Sequence, residues 1–142
     1  MFVAILHRID GEKEEGECKF EDVPSGAYYE KAVAWASTNG IVAGISATEF
    51  NPNADITREQ MAAILYRYAN YKKIDTQVGD NTNILSYDDY NDISEYAIPS
   101  MQWAAGSGLM VGKTDTTLNP KDNATRAETA AVFMRFVENF ND

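Results

Sequence analysis

The residues in this chain best suited to chemistry are two Thr-Arg pairs, Thr57-Arg58 and Thr125-Arg126, each opening a segment of helical pattern. The threonines fit a capping role. In Thr57-Arg58-Glu59-Gln60 and Thr125-Arg126-Ala127-Glu128 a hydroxyl can accept from the amide three residues on, while Gln60 or Glu128 reaches back to the cap amide. Capping leaves the arginines unexplained. Arg58 and Arg126 fall at the first helical position, where the macrodipole favours anions and a cation costs roughly 0.3–1 kcal/mol. Two readings stand. In one, free helix amides plus a planar guanidinium form a site for a carboxylate or phosphate. In the other, each arginine pairs with a nearby carboxylate, such as Asp22 or Asp92, and staples the fold.

The remaining chemistry-bearing residues offer less. Asn51, Asn53 and Asp55 alternate as in a calcium loop, but Ile56 stands where the sharp-turn glycine belongs and Ala62 where the bidentate glutamate belongs. Asn119, Lys121 and Asn123 fit worse, so both stretches read as turns and no metal site is expected. His7 is the only histidine and reads as a surface or packing residue. Cys18, the only cysteine, permits no intrachain disulfide and reads as an incidental thiol. There is no nucleophile elbow, phosphate loop or acid–base pair, so no catalytic residue, no cofactor and no enzyme activity is expected.

Composition narrows the partners. The 142 residues carry a net charge of −10, from 22 acidic and 12 basic side chains. That balance disfavours nucleic acid, which needs a basic footprint, and disfavours anionic membrane surfaces. No apolar run is long enough to span a bilayer, so no membrane insertion is expected. Met1 to Arg8 lacks the basic region and cleavage site of a signal peptide, so an exported protein would contain this chain as a fragment.

The elements that position the Thr-Arg pairs repeat. Tyr28–Tyr68 overlays Tyr96–Phe136 without a gap at an offset of 68, matching Trp35 with Trp103, Gly40 with Gly108, Gly44 with Gly112, Asn51-Pro52 with Asn119-Pro120 and Thr57-Arg58 with Thr125-Arg126. Upstream, Phe20-Glu21-Asp22-Val23 is aligned with Tyr90-Asn91-Asp92-Ile93 after a two-residue adjustment. A third copy is partial: Ala4-Ile5-Leu6-His7-Arg8 matches Ala63-Ile64-Leu65-Tyr66-Arg67. The expected organisation is the last helix of a truncated repeat at 1–10, a polar linker, a complete repeat at 20–71, a second linker at 72–86 and a complete repeat at 87–140.

Each repeat reads as helix, loop, helix, giving a mainly α chain. Tyr28, Ala32, Trp35 and Ala36 share a face of the first helix, and Gly40 follows as a C-terminal cap. Met61, Ile64, Leu65 and Tyr68 supply the face of the second, with Val132, Phe133 and Phe136 in the later copy. Trp35 and Trp103 read first as core residues. In the partial copy, Phe2, Ile5, Leu6 and Ile9 form an apolar face without its original partner, which points to packing on the complete repeats or to self-association.

In combination, the Asp-Val opening, Trp-Ala helix, Gly-Ile-Val-Ala-Gly, Phe-Asn-Pro-Asn and Ile-Thr-Arg-Glu resemble the S-layer homology repeat of bacterial surface proteins. Thr125-Arg126-Ala127-Glu128 carries that family's Thr-Arg-Ala-Glu motif outright, whereas the earlier copy has Glu59 and Gln60 in place of Ala and Glu. The resemblance implies a pseudo-three-fold helical bundle at the bacterial cell surface, held noncovalently to an anionic secondary cell-wall polysaccharide, often one bearing pyruvate ketals. It implies Arg58, Arg126 and Glu128 as polysaccharide-binding residues, with Trp35 and Trp103 as groove neighbours. The competing function is a structural or protein-interaction repeat without wall binding.

Overall fold

Apolar residues spaced three and four apart dictate helices, and among the described residues of the computed structural model five α-helices form. They are α1 (Phe2–Ile9), α2 (Glu30–Thr38), α3 (Arg58–Tyr71), α4 (Ile98–Gly106) and α5 (Arg126–Phe140). The structure describes residues 2–12, 14, 16–42, 48–50, 55–74, 87–110 and 116–140, with the backbone alone for Arg126, Asn139 and Phe140. Among these there is no strand, only an isolated antiparallel bridge between Thr57 and Asn123. The chain is mainly α. It divides into two compact units, Met1–Ala54 and Asp55–Asp142.

The division falls inside the 20–71 sequence repeat, and the reason lies in which helices pair. The helix that closes one repeat packs on the helix that opens the next: α1 on α2 in the first unit, α3 on α4 in the second. In the first unit Phe2, Val3, Leu6 and His7 are buried on α1, and the His7 ring lies 5.3 Å from that of Trp35. The expected α1 face was Phe2, Ile5, Leu6 and Ile9. Ile5 and Ile9 instead point outward, because contact with α2 selects the stripe one residue round the helix, and His7 is a packing residue. In the second unit Met61, Leu65 and Tyr68 are buried on α3 with Met101, Trp103 and Ala104 on α4. Tyr66 meets Trp103 edge-on at 5.8 Å, and Phe136 of α5 lies against Tyr68 at 5.7 Å.

Both Trp-bearing helices end in the same way. Gly40 and Gly108 have φ of +73° and +77°, which only glycine adopts without strain. The turn they make lets Ile41 donate to the Ala36 carbonyl (2.8 Å) and Leu109 to that of Ala104 (3.0 Å), closing the helix and driving Ile41 and Leu109 into the core. The beginnings are less regular than the pattern suggested. Tyr28 precedes α2 and is exposed, because the helix starts at Glu30.

The hydrogen bonds also revise the register upstream of these helices. Glu21 donates to Thr48 and Phe50 to the Asp22 carboxylate. Their counterparts are Asp88 donating to Thr116 and Leu118 to the Asp89 carboxylate. Phe20-Glu21-Asp22-Val23 therefore corresponds to Tyr87-Asp88-Asp89-Tyr90, not to Tyr90–Ile93. The second copy contains an Asp-Asp-Tyr-Asn-Asp run in which Asp89 and Asp92 compete for the match, and it is the Asp89 carboxylate that takes the Leu118 and Asn119 amides.

Candidate functional site

The start of α3 is built from the chain inward. Thr57, at φ −80° and ψ 163°, is the N-cap, and its hydroxyl accepts from the Gln60 amide at 3.2 Å. Gln60 Oε1 in turn accepts from the Thr57 amide at 2.9 Å. The next two amides, those of Arg58 and Glu59, donate to the carbonyls of Asp122 (2.9 Å) and Pro120 (3.0 Å). Those carbonyls lie on the loop at 116–124, which the Asp89 carboxylate holds by accepting from the Leu118 (2.9 Å) and Asn119 (2.7 Å) amides. Asn119, at φ +54°, turns the loop. The first turn of α3 is thus saturated by its own chain.

Arg58 lies in the same contact. Its side chain is 4% exposed, its Nε donates to the Leu118 carbonyl at 2.9 Å, and its guanidinium is ion-paired with Glu128. This resolves the oddity of a cation at a helix start: a carboxylate and a carbonyl offset the clash with the macrodipole. It also corrects two expectations. The amides beside Arg58 are not open to an anion, and the carboxylate that staples it is Glu128, not Asp22 or Asp92. Asp22 serves Phe50 in the other unit.

Glu128 has three tasks. Its amide donates to the Thr125 hydroxyl at 3.0 Å, its Oε1 accepts from the Thr125 amide at 3.2 Å, and its other oxygen pairs with Arg58. The capping box of α5 is therefore complete. Burial alone would raise the Glu128 pKa, but the Thr125 amide, the Arg58 guanidinium and the Thr125 hydroxyl outweigh it and hold the carboxyl below its ordinary range. Around this box the α5 start is open, with Thr125 and Ala127 exposed, whereas Arg58 and Glu59 at the corresponding start are buried. The Arg126 side chain lies outside the described residues.

Sequence reasoning missed a second ion pair. Glu59, 1% exposed, accepts from Lys121 Nζ at 2.8 Å and from Ser94 Oγ at 3.2 Å, and Lys121 also reaches Ser94. Burial, with the Glu59 charge nearby, raises the Tyr96 pKa. The signal was present: Glu59 stands where the motif has alanine, and Lys121 where the earlier copy has Asn53. Trp35 and Trp103 are 0% and 1% exposed, so their place is the core, with no face offered to a groove. Among the described residues no His, Cys, Asp or Glu group is arranged to hold a metal ion, and no helix is long and apolar enough to cross a membrane. Asn51 and Asn53 lie outside the described residues.

The family model of the S-layer homology domain matches residues 19–62 and 86–130, the two stretches with a gripped loop and a Thr-Arg helix start. The chain belongs to the S-layer homology family. A surface-layer 125 kDa protein of Lysinibacillus sphaericus is 33% identical over 129 residues, 88% of this chain and 10% of the relative. An amylopullulanase of Thermoanaerobacterium thermosulfurigenes is 35% identical across 96% of this chain and 7% of its own length. An endoglucanase of Bacillus is 38% identical across 80% of this chain and 12% of its own. The chain thus spans about a tenth of the relatives it matches, as a module does. An S-layer homology module is a non-catalytic anchoring part of cell-surface and cell-wall proteins, and enzyme relatives carry it as a separate part.

Proposed function

We propose that this S-layer homology module holds its protein at the wall by binding an anionic secondary cell-wall polysaccharide, and that Arg126 makes the charge-assisted contact. The observation that carries the reading is the open α5 start: the intact Thr125-Arg126-Ala127-Glu128 motif, with a complete capping box and exposed Thr125 and Ala127. A carboxylate such as a pyruvate ketal would suit a guanidinium at a helix N-terminus. Arg58 and Glu128 enter this reading as the ion pair, buried at Arg58 and half-buried at Glu128, that fixes the α5 start, and Trp35 and Trp103 as core residues each of its own unit. Self-association through α1 has the exposed Ile5 and Ile9 as its support.

The test is sedimentation with purified sacculi, with and without their secondary polymer. Binding should require the polymer. Arg126→Ala should weaken it by about 1.5–3 kcal/mol, the worth of a hydrogen bond to a charged group, at unchanged melting temperature. Arg126→Lys should restore only part, because lysine keeps the charge without the planar fork. Full binding by folded Arg126→Ala, or binding that ignores the polymer, refutes the assignment and favours a spacer or protein-docking module.

A further inference from the structure

Two departures from the repeat meet in space. Glu59 stands where the later copy has Ala127, and Lys121 where the earlier copy has Asn53. Lys121 Nζ donates to Glu59 Oε1 at 2.8 Å, and Ser94 Oγ donates to the same oxygen at 3.2 Å. Lys121 also reaches Ser94, so ammonium, hydroxyl and carboxylate oxygen converge on one point. The Glu59 hydrogen bond raises the Lys121 pKa and keeps the ammonium charged. Tyr96 stands beside them: burial and then the Glu59 charge raise its pKa, which keeps the phenol protonated at neutral pH. Stability does not call for this arrangement. An acidic residue in the first turn of a helix favours the macrodipole while in water, yet Glu59 is 1% exposed. A buried ion pair often does no better for stability than an apolar residue in its place. Among the described residues no donor reaches the other carboxylate oxygen, Glu59 Oε2, whereas buried polar atoms are ordinarily paired. What the surrounding groups do form is a receptor for a carboxylate, with an ammonium for the charge and hydroxyls for direction.

We propose that Lys121, Ser94 and Tyr96 form a site for a small carboxylate anion, and that the Glu59 side chain fills it from within the chain, closing the α3 start to an outside ligand. At the α5 start the same position is Ala127, which is exposed and supplies no such plug. The inference goes beyond the wall-polymer reading and is independent of it, since it involves neither Arg126 nor the polymer.

The test empties the site and offers it a free anion. Glu59→Ala removes the heavy atoms of one acetate ion, so acetate is the probe. Thermal melting of the 142-residue variant is followed at neutral pH in sodium acetate and in sodium chloride of equal ionic strength. Acetate should raise the melting temperature of Glu59→Ala saturably, by roughly 3–6 °C at tenfold its dissociation constant. A variant that folds in acetate but not in chloride is the same result in stronger form. The native chain and Glu59→Gln, whose sites are filled, should melt alike in the two salts. Adding Lys121→Ala to Glu59→Ala should remove most of the response. A Glu59→Ala protein that behaves identically in both salts, folded or unfolded, overturns the proposal: Lys121 then turns to solvent or to Asp92, the other carboxylate that acts on it. So does an equal acetate response in the native chain, which belongs to the salt and not to the site. A response that survives Lys121→Ala places the anion elsewhere and overturns it as well.

Discussion

The starts of α3 and α5 share a Thr-Arg sequence and a complete capping box, yet they sit in opposite surroundings. At α3 the succeeding repeat delivers a loop whose carbonyls take the Arg58 and Glu59 amides, and a glutamate that takes the Arg58 charge. At α5 the cap residue and the second helical residue are exposed. One motif thus serves as an internal joint in one place and an open edge in the other. In a repeat protein the role of a motif depends on whether its neighbour is in place.

The largest effect expected from this difference is on stability. Arg58→Ala should cost roughly 3 kcal/mol, because it strands the Leu118 carbonyl and leaves Glu128 without its partner. Arg126→Ala should stay within about 0.5 kcal/mol, as substitutions away from a packed or paired site do, given the exposed Thr125 and Ala127 on either side of it. Helix-dipole reasoning on the sequence alone gives the opposite sign for Arg58, since removing the cation would relieve a clash. Urea melts of the two variants decide, and equal losses would dissolve the contrast.

A smaller effect sharpens it. The capping boxes are alike, so Thr57→Ala and Thr125→Ala should each cost about 1 kcal/mol. Thr57 also lies in the bridge to Asn123, so its backbone is held from a second side. Exchange of the first-turn amides should consequently rise more in Thr125→Ala than in Thr57→Ala. A larger rise at the α3 end would contradict the view that the loop seals it.

The local features were legible before the structure: the capped helix starts, the glycine-ended tryptophan helices, and the repeat that makes Trp35 and Trp103 equivalent. The caps and glycine ends rest on residues within a few positions of one another, and the repeat on two stretches of like residues compared directly. The staple was not legible, because Arg58 and Glu128 lie 70 residues apart and meet only through packing between repeats. The wrong upstream register has a similar cause: Asp89 and Asp92 are the same residue type three apart, and only the loop contact distinguishes them. The division into 20–71 and 87–140 follows sequence periodicity, whereas burial follows the pairing of α1 with α2 and α3 with α4.

The smallest effect concerns acid, and it tests whether Glu128 is the link between the two starts. Its counterpart Gln60 closes the same box without titrating. Because the folded protein holds the Glu128 pKa below its ordinary value of 4.5, the unfolded chain binds the proton first as pH falls. The contribution of Glu128 is therefore complete above pH 4.5 and is lost as pH drops through the lowered folded value. Glu128→Gln keeps one carbonyl oxygen, enough for either the Thr125 amide or Arg58 at the position each now occupies, and gives up the charge. At neutral pH it should be less stable than the native chain by up to about 1 kcal/mol, the difference between a charge-assisted and a neutral hydrogen bond. With 22 acidic residues the native chain loses stability in acid for many reasons, so the informative quantity is the difference between the two proteins. That difference should shrink as pH falls below 4.5 and vanish once Glu128 is protonated. A gap constant from pH 7 to pH 3 would mean that the Arg58 contact depends on the shape of the side chain and not on its charge.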